Sequence, residues 1–266
     1  MSRSLFIFGL GYAAGFIADR AQAEGFAVQG TSSRGTLGFE DEAAVRAALK
    51  DATHILSSVP PEDHADPVLA RYGADIASSG AEWVGYLSTT GVYGNTDGAR
   101  VDETAPLNPS AERSARRVRD EAAWAALGPV HIFRLAGIYG PGRSAIDQLK
   151  AGRARRVIKP GQVFSRIHAQ DIARFVVASM LDPDPDGAIY NLCDDEAAPP
   201  QDVIAYAAEL MGIKPPAAVP YEKADLSDMA KSFYSDNRLV SNARIKARFG
   251  MKMAFPDYRA GLKALQ

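Results

Sequence analysis

The stretch Leu5-Phe6-Ile7-Phe8-Gly9-Leu10-Gly11-Tyr12-Ala13-Ala14-Gly15-Phe16-Ile17-Ala18 decides the fold. A short aromatic and β-branched run breaks into glycines, after which Ala13, Phe16, Ile17 and Ala21 recur at helical spacing. Strand, tight turn and helix in that order open a βαβ unit. In a dinucleotide-binding turn the first glycine makes the bend and the second lets the backbone approach a pyrophosphate. The third position, glycine or alanine, lets helix pack on strand. Gly9, Gly11 and Ala14 hold those places, with Leu10, Tyr12 and Ala13 between them. The N–H groups from Tyr12 to Ala14 would then face the pyrophosphate, where the helix dipole favours negative charge. Arg3, the apolar run and Ala21-Gln22-Ala23 also imitate a secretory signal, but three glycines interrupt its core and Asp19-Arg20 precede the would-be cleavage site.

A second strand, Gly25 to Gly30, ends where such a fold selects its cofactor. An NAD site places a carboxylate there, against the ribose 2′-hydroxyl; this chain has Thr31-Ser32-Ser33-Arg34. Hydroxyls followed by a guanidinium suit a 2′-phosphate, so NADP is expected in preference to NAD. A helix over 41–50 leads to a buried-looking strand, residues 52–59, whose end Ser57-Ser58-Val59-Pro60-Pro61 should line the ligand crevice. His54 inside that strand reads as structural. A helix over 66–79 and the strand Trp83 to Leu87 follow.

Composition bounds the alternatives. A 266-residue chain that is 47% hydrophobic and 23% charged buries a large core, and its net charge of −2 gives no footprint for nucleic acid or an anionic membrane. Apolar runs fall short of the ~20 residues a bilayer requires. One cysteine, Cys193, excludes an internal disulfide and points to a reducing cytoplasm. Four scattered histidines, without a His-x-x-x-His pair, predict no metal.

Two further segments narrow the reading. Ser88-Thr89-Thr90-Gly91-Val92-Tyr93-Gly94 follows one strand, and Arg134-Leu135-Ala136-Gly137-Ile138-Tyr139-Gly140-Pro141-Gly142 ends another. With Arg166-Ile167-His168 ahead of Asp171, Asn191 ahead of Asp194, and Phe255-Pro256-Asp257-Tyr258-Arg259, the chain resembles the extended, atypical short-chain dehydrogenase/reductases of the NAD-dependent epimerase/dehydratase family. The resemblance implies a Rossmann-type α/β fold: a doubly wound parallel sheet formed mainly by residues 1–160, with 161–266 as a smaller substrate lobe. It implies Thr89 as the hydroxyl that meets a substrate oxygen, and Ala136, Gly137 and Ile138 as the nicotinamide border. His168 and Asp171 read as structural, Asp171 as a helix cap.

One family feature is missing. The oxidoreductases carry a Tyr-x-x-x-Lys acid/base pair, and no tyrosine here has lysine four residues on. Taking Glu121 as the glutamate that follows the family lysine puts Arg113 at the tyrosine and Arg117 at the lysine. A guanidinium stays protonated, so neither replaces the acid, although Arg117 could replace the lysine electrostatically. Thr89 is expected to relay a proton from water or a neighbouring phenol, Tyr139 ahead of Tyr93, while each phenol on its own reads first as a packing residue. The activity expected is an NADP-dependent oxidoreductase or epimerase acting on a hydroxyl or carbonyl of a small polar, sugar-like or anionic substrate. The alternative is a catalytically silent NADP(H)-binding or redox-sensing protein. The sequence leaves the substrate and the oligomeric state open.

Overall fold

The computed structural model describes residues 3–32 and 36–266. Its first half alternates as the hydrophobic periods predict: β1 (Ser4–Phe8), α1 (Tyr12–Ala23), β2 (Ala27–Thr31), α2 (Glu42–Asp51), β3 (His54–Ser57), α3 (Pro67–Ala77) and β4 (Trp83–Thr89). A short β5 (Arg100–Val101) precedes α4 (Glu112–Ala125), β6 (Val130–Leu135) and β7 (Gly137–Tyr139). The later chain supplies α5 (Ala145–Lys150), β8 (Arg156–Ile158), β9 (Arg166–His168), α6 (Ala169–Leu181) and β10 (Ala188–Leu192). It ends with α7 (Pro200–Leu210), β11 (Ala218–Pro220), α8 (Asp228–Tyr234), β12 (Leu239–Val240), α9 (Ala243–Phe249) and α10 (Tyr258–Lys263).

Strands β10-β6-β4-β3-β1-β2 form one parallel sheet in that order. Parallel strands need crossovers, and these cover both faces, so the strands are buried on both sides. β1 shows the consequence: Leu5 and Ile7 join the core beneath α1 and α6, whereas Phe6 and Phe8 join Val45 of α2, Tyr72 of α3 and Trp124 of α4 on the other face. A third, smaller core of Ile146, Val203, Ile204 and Leu262 ties α5, α7 and α10 together beyond the strand ends.

The sheet is formed mainly, though not wholly, by residues 1–160. Residues 188–192 pair along their length with β6, so the sheet's last strand comes from the stretch assigned to the lobe. Helix α6 is the cause, because it packs on α1 and returns the chain to the sheet edge. Small parallel pairs, β5 with β12, β7 with β9 and β8 with β11, stitch distant parts of the chain at the top. Among the described residues no helix is long and apolar enough to cross a membrane.

Candidate active site

The C-terminal ends of the central strands open into a cleft of about 1610 Å³. The chain passes from β1 to β2 on one side and to β3 on the other, the switch point at which open α/β sheets bind ligands. Gly9 turns the chain there with φ +77°, and a Cβ on it would approach Val59 Cγ2 to 3.0 Å. The turn is held from both neighbouring strands. Gly9 N donates to Thr31 Oγ1 (3.2 Å), Leu10 N to the Thr31 carbonyl (2.8 Å) and Ser58 Oγ to the Gly9 carbonyl (2.6 Å). Thr31 and Ser58 therefore shape the cradle with their hydroxyls, and Ser57 is buried beneath it. Leu10, Gly11, Tyr12, Ala13, Ser32 and Val59 line the cleft itself, whereas Ala14 packs in the core.

Helix α1 begins at Gly11 without a side-chain cap or an acid in its first turn. Its leading amides thus remain for an external anion, as the glycine pattern implies. The position of a Cβ on Gly11 has no heavy atom nearer than 3.9 Å, so the backbone is open to close approach. These features fit a dinucleotide pyrophosphate. Across the mouth, Tyr12 Oη donates to the Pro141 carbonyl (3.0 Å), and the Arg143 guanidinium lies 5.5 Å from the Tyr12 ring. Ala136, Gly137 and Ile138 form part of the facing wall. Ser33 and Arg34 lie outside the described residues.

Beneath the Thr89 end of the cleft lies a buried polar network. Glu121 accepts from Arg134 Nη2 (2.7 Å) and from Ser88 Oγ (2.5 Å); Arg134 Nη1 donates to Tyr93 Oη (2.9 Å), which donates to Asn191 Oδ1 (2.7 Å). Burial raises the pKa of Tyr93, and both hydrogen-bonding roles of its hydroxyl are used internally. Gly94 closes this turn at φ +66°, where a Cβ would collide with the Asn108 carbonyl. Thr89 stands above the network, half-buried, its Oγ1 accepting from Gly91 N (3.1 Å). That bond leaves the hydroxyl proton for a ligand.

Arg117 enters from α4 and donates through Nη1 to Tyr86 Oη (2.6 Å) and to the carbonyls of Leu87 (3.0 Å) and Val59 (3.3 Å). It puts a fixed positive charge where β3 and β4 end. Arg113, one turn earlier, donates to Ser232 Oγ (3.1 Å) and lies 4.3 Å from the Phe233 ring centroid on α8. The structure thus brings Thr89, Arg113 and Arg117 into one cleft. Tyr139 also lines it, but its hydroxyl donates weakly to the Asp257 carbonyl (3.4 Å) and abuts Gly261. Burial raises its pKa strongly, so this phenol is packed rather than poised.

His168 caps α6 through Nδ1, which accepts from Gln170 N (3.2 Å). Asp171 does not cap that helix; its carboxylate accepts from Ala254 N and Phe255 N, both at 2.9 Å, and fastens the C-terminal segment. His54 faces the Met180 carbonyl inside the core (3.1 Å). Sequence reasoning missed Asp194, 3% exposed, whose two carboxylate oxygens have no hydrogen-bond partner among the described residues. Burial pushes its pKa up to about 8, against the opposing charge of Arg166. It missed Arg143 and Arg238 as cleft residues as well; Arg143, directly after Gly140-Pro141-Gly142, was within reach of a closer reading.

The cleft's charge contrasts with that of the chain. Among the described residues Arg113, Arg116, Arg117, Arg143, Arg155, Arg166 and Arg238 line it, with Asp236 as the one carboxylate in the lining, in a chain of net charge −2. Cations so concentrated raise the local concentration of anionic ligands.

The fold is a doubly wound α/β fold of the Rossmann type, with its crevice at the point where the strand order reverses. The chain belongs to the same family as a functionally unknown conserved protein from Silicibacter pomeroyi, whose structure is 50% identical in sequence, with TM-score 0.88 over 99% of this chain and 98% of that one. Protein YeeZ of Escherichia coli K12 is 30% identical over 176 residues, 65% of this chain; the match spans 58% of the length of YeeZ. No family model matches the chain. Two more distant structures share the fold. One is the human epimerase family protein SDR39U1 (isoform 2) with NADPH, at TM-score 0.77 and 16% identity, covering 98% of each chain. The other is a short-chain dehydrogenase/reductase superfamily protein from Agrobacterium tumefaciens with bound NAD, at TM-score 0.74 and 16% identity, covering 99% of this chain and 96% of that one.

Proposed function

We propose that the protein is an NADP-dependent oxidoreductase or epimerase that acts on a hydroxyl or carbonyl of a small polar, sugar-like or anionic substrate. The observation that carries this reading is the uncapped, acid-free start of α1, opposite Thr89 in one arginine-lined cleft. The structural neighbours that hold NAD or NADPH support a nicotinamide cofactor. The phosphate preference rests on Thr31-Ser32-Ser33-Arg34, which has no acid at the strand end. The single, buried Cys193 suits a reducing cytoplasm.

In this reading Gly9, Gly11 and the amides of Tyr12 to Ala14 hold the pyrophosphate, and Ala136 to Ile138 border the nicotinamide. The cofactor, when bound, supplies hydride chemistry. Thr89 donates its free hydroxyl proton to the substrate oxygen, and Arg117 stabilises negative charge developing there without giving up a proton. With Tyr93 and Tyr139 held in packing, water in the cleft replaces the phenol as proton source. A second reading, a catalytically silent NADP(H)-binding or redox-sensing protein, draws support from the same two phenols. A screen of hydroxy and carbonyl compounds that follows NADPH absorbance, with cofactor binding measured in parallel, separates them. Turnover with any substrate supports the enzyme; tight NADPH binding with no turnover on any substrate class supports the second reading.

A further inference from the structure

Helix α4 carries four arginines, and they divide by what they meet. Arg116 pairs with Asp63 (2.5 Å) and Glu112 (2.6 Å). Arg119 pairs with Asp120 (2.7 Å) and donates to the carbonyls of Glu62 and Asp63. Arg113 and Arg117, one turn apart and both in the cleft, have no carboxylate within salt-bridge distance among the described residues. Like charges at this spacing oppose each other on a helix, so the arrangement is unfavourable until an anion joins them.

The pair differs in how firmly it is held. Arg117 is fixed by three neutral acceptors at the strand ends, one of them the Leu87 carbonyl two residues before Thr89. Among the described residues Arg113 rests only on Ser232 Oγ and the ring of Phe233, a residue 52% exposed on a short helix. Its remaining guanidinium donors are available, and guanidinium forks match the oxygens of carboxylates and phosphates.

We propose that Arg113 and Arg117 together bind an oxyanion of the substrate itself, a carboxylate or a phosphate ester, beside the carbon that reacts at Thr89. The substrate is then an acid whose charge lies at its reacting end. Ser232 and Phe233 of α8 act as positioning residues that hold Arg113 toward the anion. The inference rests on the reading of this cleft as the substrate site.

The test is calorimetric titration of the full chain with malonate and, separately, with inorganic phosphate, at low ionic strength, with and without saturating NADPH. The expected result is saturable binding of at least one probe by the wild type and at least a tenfold loss in Arg113→Gln. Arg113→Lys should recover part of that loss, because charge returns without the fork. Arg119→Gln, on the same helix but paired with Asp120 and outside the cleft lining, should change affinity less than twofold. Absence of saturable binding to the wild type, or equal losses in Arg113→Gln and Arg119→Gln, would overturn the proposal. NADPH titration of the same proteins keeps the two readings apart. Intact NADPH binding with malonate binding insensitive to Arg113 refutes only the oxyanion site. Failure of the wild type to bind NADPH refutes the cofactor assignment, and the malonate arm still reads Arg113.

Discussion

The two ends of the cleft are built by different means. At the glycine turn the backbone does the work: Gly9 bends, Gly11 leaves space, and α1 presents uncapped amides. At the Thr89 end side chains do it, and they rest on the buried Glu121–Arg134 pair, whose members are both under 5% exposed. A backbone site tolerates changes of most side chains around it, provided no Cβ fills its space. A side-chain site depends on every partner beneath it. The first end should therefore fail mainly by steric intrusion or by loss of the Thr31 and Ser58 hydroxyls that hold its turn, the second by loss of any single polar group beneath it.

The largest expected effect is on the network under the second end. Glu121→Ala leaves Arg134 buried without its counter-charge, which typically costs about 3–5 kcal/mol. Chemical denaturation should show that loss, and a change below about 1 kcal/mol would mean that the pair does not support Thr89. For Thr89→Val, turnover of an identified substrate should fall by roughly 10²-fold or more, the scale of lost general acid catalysis, with NADPH affinity within twofold. An equal fall in NADPH affinity would move Thr89 from the reacting end to the cofactor. Tyr139→Phe removes only a 3.4 Å bond to a carbonyl, so its turnover should change less than threefold; a tenfold fall would restore the phenol as the proton source.

The remaining test is a pH dependence. Asp194 has its folded pKa raised to about 8 by burial, above the ordinary carboxyl value. Its contribution to stability is thus fully present below about pH 4 and is lost as pH rises through about 8, because the unfolded chain releases the proton first. The groups facing it are Arg166, which opposes the shift, and Asp195, which adds to it. Asp194→Asn, which mimics the neutral acid, should flatten the melting temperature between pH 5 and 8. A wild-type profile unchanged by that substitution would mean that Asp194 is ionised when folded.

The same contrast explains what the sequence made legible. The glycine turn, α1 and the alternation through β4 follow from local periodicity, and the elements fall where the pattern places them. The α4 register was readable too: anchored on Glu121, it put Arg113 and Arg117 one turn apart, and both enter the cleft. Contacts across long separations were not readable. Asp171 carries the composition of a helix cap, yet its oxygens serve Ala254 and Phe255, 83 and 84 residues on. Residues 188–192 look like any short apolar strand, and only the α6 crossover assigns them to the main sheet. Tyr139 reads first as a packing residue, but nothing local reveals that α10 is what packs against its hydroxyl.

The central claim is that the α1 end of the cleft holds a phosphorylated nicotinamide dinucleotide on bare backbone. Gly11 tests it cleanly, since its backbone is extended (φ −93°) and a Cβ would enter open space without disturbing the fold. Fluorescence titration of the wild type and Gly11→Val with NADPH and NADH is the direct measurement. The account predicts saturable binding by the wild type, tighter for NADPH than for NADH, and at least a hundredfold loss in Gly11→Val with an unchanged melting temperature. Undiminished NADPH binding by a folded Gly11→Val, or no binding by the wild type, would contradict it.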